Sequence, residues 1–233
     1  MTITTATASR RGTRERNCDG AAIHYVPDSL VVAAALIDGI GNSAEVAEFA
    51  RLAAEVAARV GARRTATIGI LAAAELISAP AAAVVEPDGV AVLAIAEPYG
   101  HTAIAWTGDS RAYGWDGDTL TQRTTDMTVG EYLRHNGGGP IELLAKAHDN
   151  WIRSSLGRSS IATVHAAACA DPLILLTTDG VHDQLPQAEL EALVREHQDA
   201  PATLADAIVN TVQPKPSGYR DDATVIVLAA DLT

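Results

Sequence analysis

The sequence predicts a mixed α+β domain, and three observations carry that prediction. Apolar runs of strand length end repeatedly in Pro, Gly or Asp turn signals, a helical repeat of apolar residues runs from Ser43 to about Val60, and two short strand-like segments flank Asp116-Gly117-Asp118 as a hairpin would. At 233 residues the chain can fill one large domain, and no break in composition calls for two.

Taken in order, the opening from Met1 to about Arg10 is rich in Thr, Ser and Arg without apolar periodicity, so a disordered tail over residues 1–10 and a single domain over 11–233 are expected. Ala21 to Tyr25 and Ser29 to Ile37 read as strands about the turn Pro27-Asp28, the second a continuous apolar run suited to burial. Val46, Phe49, Leu52, Ala53, Val56 and Val60 recur at helical spacing, with Ser43 as cap and Gly61 as stop. A second helix is expected over Ala66 to Ile77, then strands at Ala81 to Val85, Val90 to Glu97 and Ala103 to Trp106, with turns at Pro87-Asp88-Gly89 and Pro98-Tyr99-Gly100.

Tyr113 to Trp115 and Thr119 to Arg123 form the hairpin. The stretch Val129 to Ser155, with Gly137-Gly138-Gly139-Pro140 between two helical segments, lacks strand pattern and reads as a flap beside a site. Leu173 to Thr177 is a buried strand, Gln187 to His197 and Pro201 to Val212 are helices, and Ala223 to Ala229 is a final strand.

Composition excludes several classes of function. The formal net charge of −12 argues against nucleic acid, because a phosphate backbone requires clustered Lys and Arg. Cys18 and Cys169 are too few and too far apart for a zinc knuckle or a disulfide framework, as expected in a reducing compartment. No uncharged apolar run reaches about 18 residues and the first residues lack an apolar signal core, so the expectation is a cytoplasmic monomer with no membrane partner.

The chemistry is carried by aspartates. Asp38-Gly39 and Asp179-Gly180 each end an apolar strand, Asp221-Asp222 precedes another, and Asp109 sits in Gly108-Asp109-Ser110-Arg111. Aspartate is a poor strand residue and costly to bury unpaired, so several at the ends of core strands call for compensation by cations. An all-oxygen donor set favours Mg²⁺ or Mn²⁺ over zinc.

In this order the segments resemble the metal-dependent serine/threonine protein phosphatases of type 2C, the PPM family. Arg14-Glu15-Arg16-Asn17-Cys18-Asp19 is similar to that family's Arg-x-x-Asn-x-Asp, and Asp38-Gly39-Ile40-Gly41 to its Asp-Gly-Met-Gly-Gly. Gly108 to Tyr113 matches Gly-Asp-Ser-Arg-x-Tyr, and Leu120 to Asp126 resembles Leu-x-x-x-Thr-x-Asp. Ser155-Leu156-Gly157, Thr178-Asp179-Gly180-Val181-His182-Asp183 and Arg220-Asp221-Asp222-Ala223-Thr224-Val225 complete the series, which spans Arg14 to Val227.

The resemblance implies a four-layer α-β-β-α sandwich of two antiparallel sheets flanked by helices. It implies hydrolysis of phosphoserine and phosphothreonine by a hydroxide bridging two Mn²⁺ or Mg²⁺ ions. Asp38 would bridge the ions, the Gly39 carbonyl would bind one, and Asp179 and Asp221 would hold the other. Asp19 would fix metal-bound waters from behind. A possible third ion would use Asp109, Asp179 and Asp183, and Arg14 would grip the phosphate oxygens. The implied partners are phosphorylated proteins, opposing a serine/threonine kinase.

The chain departs from that pattern at Asn42, Met127 and Asp222, the last standing where asparagine is usual and read either as a charge beside the site that raises metal affinity or weakens phosphate binding, or as a solvated strand-edge carboxylate. His148 and His182 are read as surface or structural histidines rather than acids. The rival readings are a catalytically weak pseudophosphatase that binds phosphoproteins, a phosphatase for small molecules, and a purely structural α+β domain.

Overall fold

The computed structural model describes residues 2–77, 87–98 and 100–230. Among the described residues ten strands form two antiparallel sheets. The first orders β1 (Ile3–Arg10), β10 (Ala223–Ala230), β9 (Leu173–Thr177), β6 (Arg111–Trp115) and β7 (Leu120–Gln122) from edge to edge. The second orders β2 (Asp19–Val26), β3 (Val31–Ile40), β4 (Asp88–Ala96), β5 (Thr102–Thr107) and β8 (His165–Cys169).

The period-two geometry of a strand sorts side chains into three packed layers. Val32, Ala34 and Leu36 of β3 and Val92 and Ala94 of β4 meet Ile174 and Leu176 of β9 and Ile226 and Leu228 of β10 between the sheets. The alternate residues of the second sheet, among them Ala33, Ala35, Ile37 and Leu93, pack against the helices α1 (Ala44–Gly61) and α2 (Ala66–Ala74). On the opposite outer face Tyr113, Trp115, Leu175, Val225 and Val227 bury against α6 (Gln187–His197) and α7 (Pro201–Thr211). The result is the expected four-layer α-β-β-α sandwich.

Helix α1 starts where its cap predicts, with the Ser43 hydroxyl accepting the Val46 N–H at 3.3 Å. The helix ends at Gly61, as expected, and that glycine also serves close packing, since a Cβ there would lie 2.7 Å from Leu93 Cδ2. Helix α2 is shorter than predicted, ending at Ala74 rather than Ile77. Asp88 and Gly89, expected in a turn, open β4 instead, in register with Ile40 and Gly39 of β3. The strand expected at Ala81 to Val85, and Tyr99 of the following turn, lie outside the described residues.

The expected tail at residues 1–10 is corrected by the structure. Ile3–Arg10 pairs antiparallel along β10, from Ile3↔Ala230 to Arg10↔Ala223. Its threonines suit an edge strand, Ala8 is buried in the outer core with Ala6 packed on it, and the Thr5 hydroxyl is hydrogen-bonded to Tyr25 of the other sheet. Arg10 fixes the strand's end by donating to the carbonyls of Val209 and Val212 at 3.0 and 3.2 Å, at the negative terminus of α7. Among the described residues no helix is long and apolar enough to cross a membrane.

Candidate active site

One end of the sandwich gathers the loops that carry the motif residues. Asp38 lies near the end of β3 directly opposite Asp19 of β2. Asp179 opens α5, a single helical turn over Asp179–His182 after β9, and Asp183 caps it. Asp109 sits between β5 and β6 after Gly108, whose φ of 92° favours glycine. Asp221 lies two residues before β10, and Arg14 lies in the loop between β1 and β2.

These positions converge. Arg14, Asp38, Gly39, Asp109, Asp179, Asp183 and Asp221 all line one cavity of about 370 Å³. Asp19 does not line it. It stands behind, with Oδ2 accepting the Thr224 hydroxyl at 2.6 Å and the Thr178 hydroxyl at 3.1 Å. Asn150 and Ile152, from the segment expected as a flap, form part of the wall. That segment contains α3 (Val129–Asn136) and α4 (Glu142–Lys146).

Electrostatics in this cavity are dominated by desolvation and like charge. Desolvation, then the charges of Asp179, Asp19 and Asp109, hold the Asp38 carboxyl well above the usual range. Asp179 is raised to about 6 by desolvation and then by Asp221 and Asp183, while its interaction with the Asp38 carboxyl works in the other direction. Desolvation also lifts Asp19 to about 8, against the two hydroxyls that favour its charged form. Asp109 is raised by desolvation and the neighbouring Asp179, and Asp183 by desolvation against the pull of Lys215.

Cations in the cavity are few. The Arg14 guanidinium lies 3.2 Å from Asp221 Oδ1 and 5.7 Å from the centre of the Tyr219 ring. The Lys215 ammonium is 3.9 Å from Asp183 Oδ2. Both Lys215 and Tyr219 line the cavity, and sequence reasoning missed both. They come from the loop between α7 and β10, which has no strand or helix pattern; only its Pro-x-Pro-x-Gly turn chemistry marks it as a structured loop.

The donor set fits hard divalent cations. Five aspartates and the Gly39 backbone offer oxygen alone, and the raised carboxyl groups show a deficit of positive charge that such ions would supply. Among the described residues no three His, Cys, Asp or Glu side chains form a ready-made cage for one ion, so the acids ring the cavity without closing on a single point.

Three other residues are placed apart from the cavity wall. His182 packs inside, with Nδ1 hydrogen-bonded to Thr177 Oγ1 at 3.0 Å and its pKa held well below the usual value by desolvation and then by Arg111. His148 Nδ1 meets the Leu144 carbonyl at 2.7 Å and its ring packs on Trp151. Of the two readings of Asp222, the solvated carboxylate is corrected: the residue is 3% exposed, and both its oxygens accept backbone N–H groups.

Fold and cavity together define a two-sheet α+β sandwich with an acid-ringed, oxygen-donor site at one end. No protein-family model matches the sequence, and no curated protein matches it. Solved structures do. The serine/threonine phosphatase Stp1 from Staphylococcus aureus superposes with a TM-score of 0.76 at 18% identity, over 99% of this chain and 96% of that one. The PPM Ser-Thr phosphatase MsPP from Mycobacterium smegmatis, in complex with cacodylate, gives 0.73 at 19% identity over 99% and 100%. The catalytic domain of the phosphatase PstP, in complex with 2 manganese ions, gives 0.67 at 20% identity over 98% and 99%. The chain has the fold of the PPM-type serine/threonine phosphatases.

Proposed function

We propose that this chain is a metal-dependent serine/threonine protein phosphatase that uses Mn²⁺ or Mg²⁺. The observation that carries the reading is the convergence of Asp38, Asp109, Asp179, Asp183, Asp221 and Arg14 on one cavity from sequence-distant loops. Two ions bound there would supply a bridging hydroxide at neutral pH and offset charge on the phosphoryl group.

The protein's own residues do the rest. Asp38, the Gly39 carbonyl, Asp179 and Asp221 would hold the ions, and Asp109, Asp179 and Asp183 would hold a possible third. Asp19, tied to Thr178 and Thr224, would fix metal-bound waters from behind. The planar Arg14 guanidinium suits two non-bridging phosphate oxygens. Lys215 and Tyr219 face the same space from the other loop and would meet the substrate beside its phosphate. Neither Cys18 nor Cys169 lines the cavity, which fits attack by an activated water rather than a thiolate.

The named structural neighbours act on serine or threonine phosphates, which supports phosphoproteins as the substrate class and a serine/threonine kinase as the opposing activity. The reading places the enzyme in the cytoplasm as a monomer. It is tested by Mn²⁺-dependent hydrolysis of para-nitrophenyl phosphate and a phosphothreonine peptide, with Asp38→Ala and Asp179→Ala alongside. Turnover that needs metal and is lost in both variants is expected. A folded parent that binds Mn²⁺ without turning over either substrate overturns it in favour of a phosphoprotein-binding module.

A further inference from the structure

The loop that carries Arg14 is pinned by one buried side chain. Asp222 Oδ1 accepts the Gly12 N–H at 2.7 Å and Asp222 Oδ2 accepts the Cys18 N–H at 2.9 Å. The two contacts bracket residues 13–17, so the carboxylate closes the loop like a clasp. The loop is pressed tightly onto the start of β10: a Cβ on Gly12 would lie 2.2 Å from the Arg220 carbonyl oxygen, and the Thr13 N–H donates to that same oxygen at 2.9 Å. Asp222 also donates its own backbone N–H to Asp221 Oδ1 at 3.0 Å, the carboxylate that Arg14 faces.

The chemistry of this clasp demands a carboxylate. Two N–H donors converge on one side chain, and only an ionised Asp or Glu offers two acceptor oxygens; an amide would turn its NH₂ toward one of the donors. Bonds from backbone N–H to a buried carboxylate are charge-assisted and short, as found. Nothing in the catalytic reading uses this charge, and Asp222 does not line the cavity.

We propose that Asp222 is a positioning residue: its carboxylate holds the loop of residues 12–18 so that Arg14 is presented to the phosphate group. The inference rests on the phosphatase reading of the cavity. It predicts that removing one acceptor oxygen weakens phosphate recognition through Arg14 and through nothing else.

The experiment is a double-mutant cycle with Asp222→Asn and Arg14→Ala, read in two ways with Mn²⁺ present: KM and kcat for para-nitrophenyl phosphate, and inorganic phosphate affinity by calorimetry. Asp222→Asn is expected to raise KM and weaken phosphate binding by about 10-fold, and to have no further effect in the Arg14→Ala background. Hydrogen exchange should rise at Gly12 and Cys18 in Asp222→Asn, and Asp222→Glu should restore part of the lost affinity.

An equal loss in both backgrounds overturns the inference, because it marks a general structural role; so does no loss in Asp222→Asn. If the parent has no turnover, the phosphatase reading fails on its own. The phosphate affinities then decide the clasp: weakening that vanishes with Arg14→Ala supports it, and unchanged affinity refutes it.

Discussion

The Ser155 hydroxyl donates to Asp88 Oδ2 across 2.6 Å, at the point where the segment from Val129 rejoins the sandwich. Two residues on, the Gly157 N–H donates to Asp88 Oδ1 at 2.9 Å, and Ser155 is buried. Asp88 pairs in register with Ile40, so the segment that supplies Asn150 and Ile152 to the cavity is anchored to the strand pair carrying Asp38. Ser155→Ala is expected to lower stability by about 1 kcal/mol, and Asp88→Ala by about 2–3 kcal/mol because several donors lose their acceptor. Urea unfolding measures both, and hydrogen exchange across residues 129–155 should rise more in Asp88→Ala.

The crowded carboxylates set a pH dependence whose sign is fixed. Asp19 stands at about 8 and Asp179 at about 6, both above an ordinary 3.8, so the folded protein keeps protons that the unfolded chain releases. Without metal, stability therefore falls as pH rises from about 4 through 6 and on to about 8. Saturating Mn²⁺ should flatten that slope by replacing the protons with a bound cation. Thermal unfolding at a series of pH values, with chelator and with Mn²⁺, reads both arms; a metal-free stability that rises over this window contradicts the expectation.

Asp179→Asn separates stability from function. The amide removes one negative charge from a cavity where Asp38, Asp109 and Asp221 are neighbours, so the metal-free variant should unfold at a higher temperature than the parent at pH 8. Mn²⁺-dependent hydrolysis should drop by about 100-fold or more. Unfolding scans and rates on para-nitrophenyl phosphate, taken on one preparation, test the opposition.

Gly180 tolerates no side chain for a reason of packing. A Cβ there would lie 1.8 Å from the Asp222 carbonyl oxygen, a backbone atom that cannot step aside. Gly180→Ala should cost more than about 2 kcal/mol and should loosen α5 together with the start of β10. Denaturant unfolding and exchange rates at residues 179–183 and 221–224 are the measurements.

Much of this architecture was legible because its signals are local. The continuous apolar run of β3, the apolar β4 and the capped periodicity of α1 each state their own structure. The aspartates were legible as a set, since acids at strand ends are costly to bury unpaired, and Asp38, Asp109, Asp179, Asp183 and Asp221 do line one cavity. What escaped has physical reasons. β1 is built from threonines alternating with small residues, and its strand character comes from β10, whose sequence lies at the other end of the chain. β8 reads His-Ala-Ala-Ala-Cys, and alanine has little strand preference until a neighbour such as β5 supplies hydrogen bonds. Lys215 and Tyr219 were hidden because their loop acquires its place only when α7 and β10 are docked. The burial of Asp222 was hidden because its two partners, Gly12 and Cys18, are backbone amides about 200 residues away.

The place of β10, between β1 and β9, bears on how the chain comes off the ribosome. The strands β2, β3 and β4 pair with near neighbours and can close as they emerge, whereas β1 must wait for a partner made long afterward. Until β10 arrives, the inner edge of β9 offers unpaired amides and an apolar face to any passing strand. The nascent protein thus exposes that edge after the sheet of β2, β3, β4, β5 and β8 has formed and before the sheet that contains β1 and β10 is complete, and the same late insertion brings Asp221 and Asp222 to Arg14.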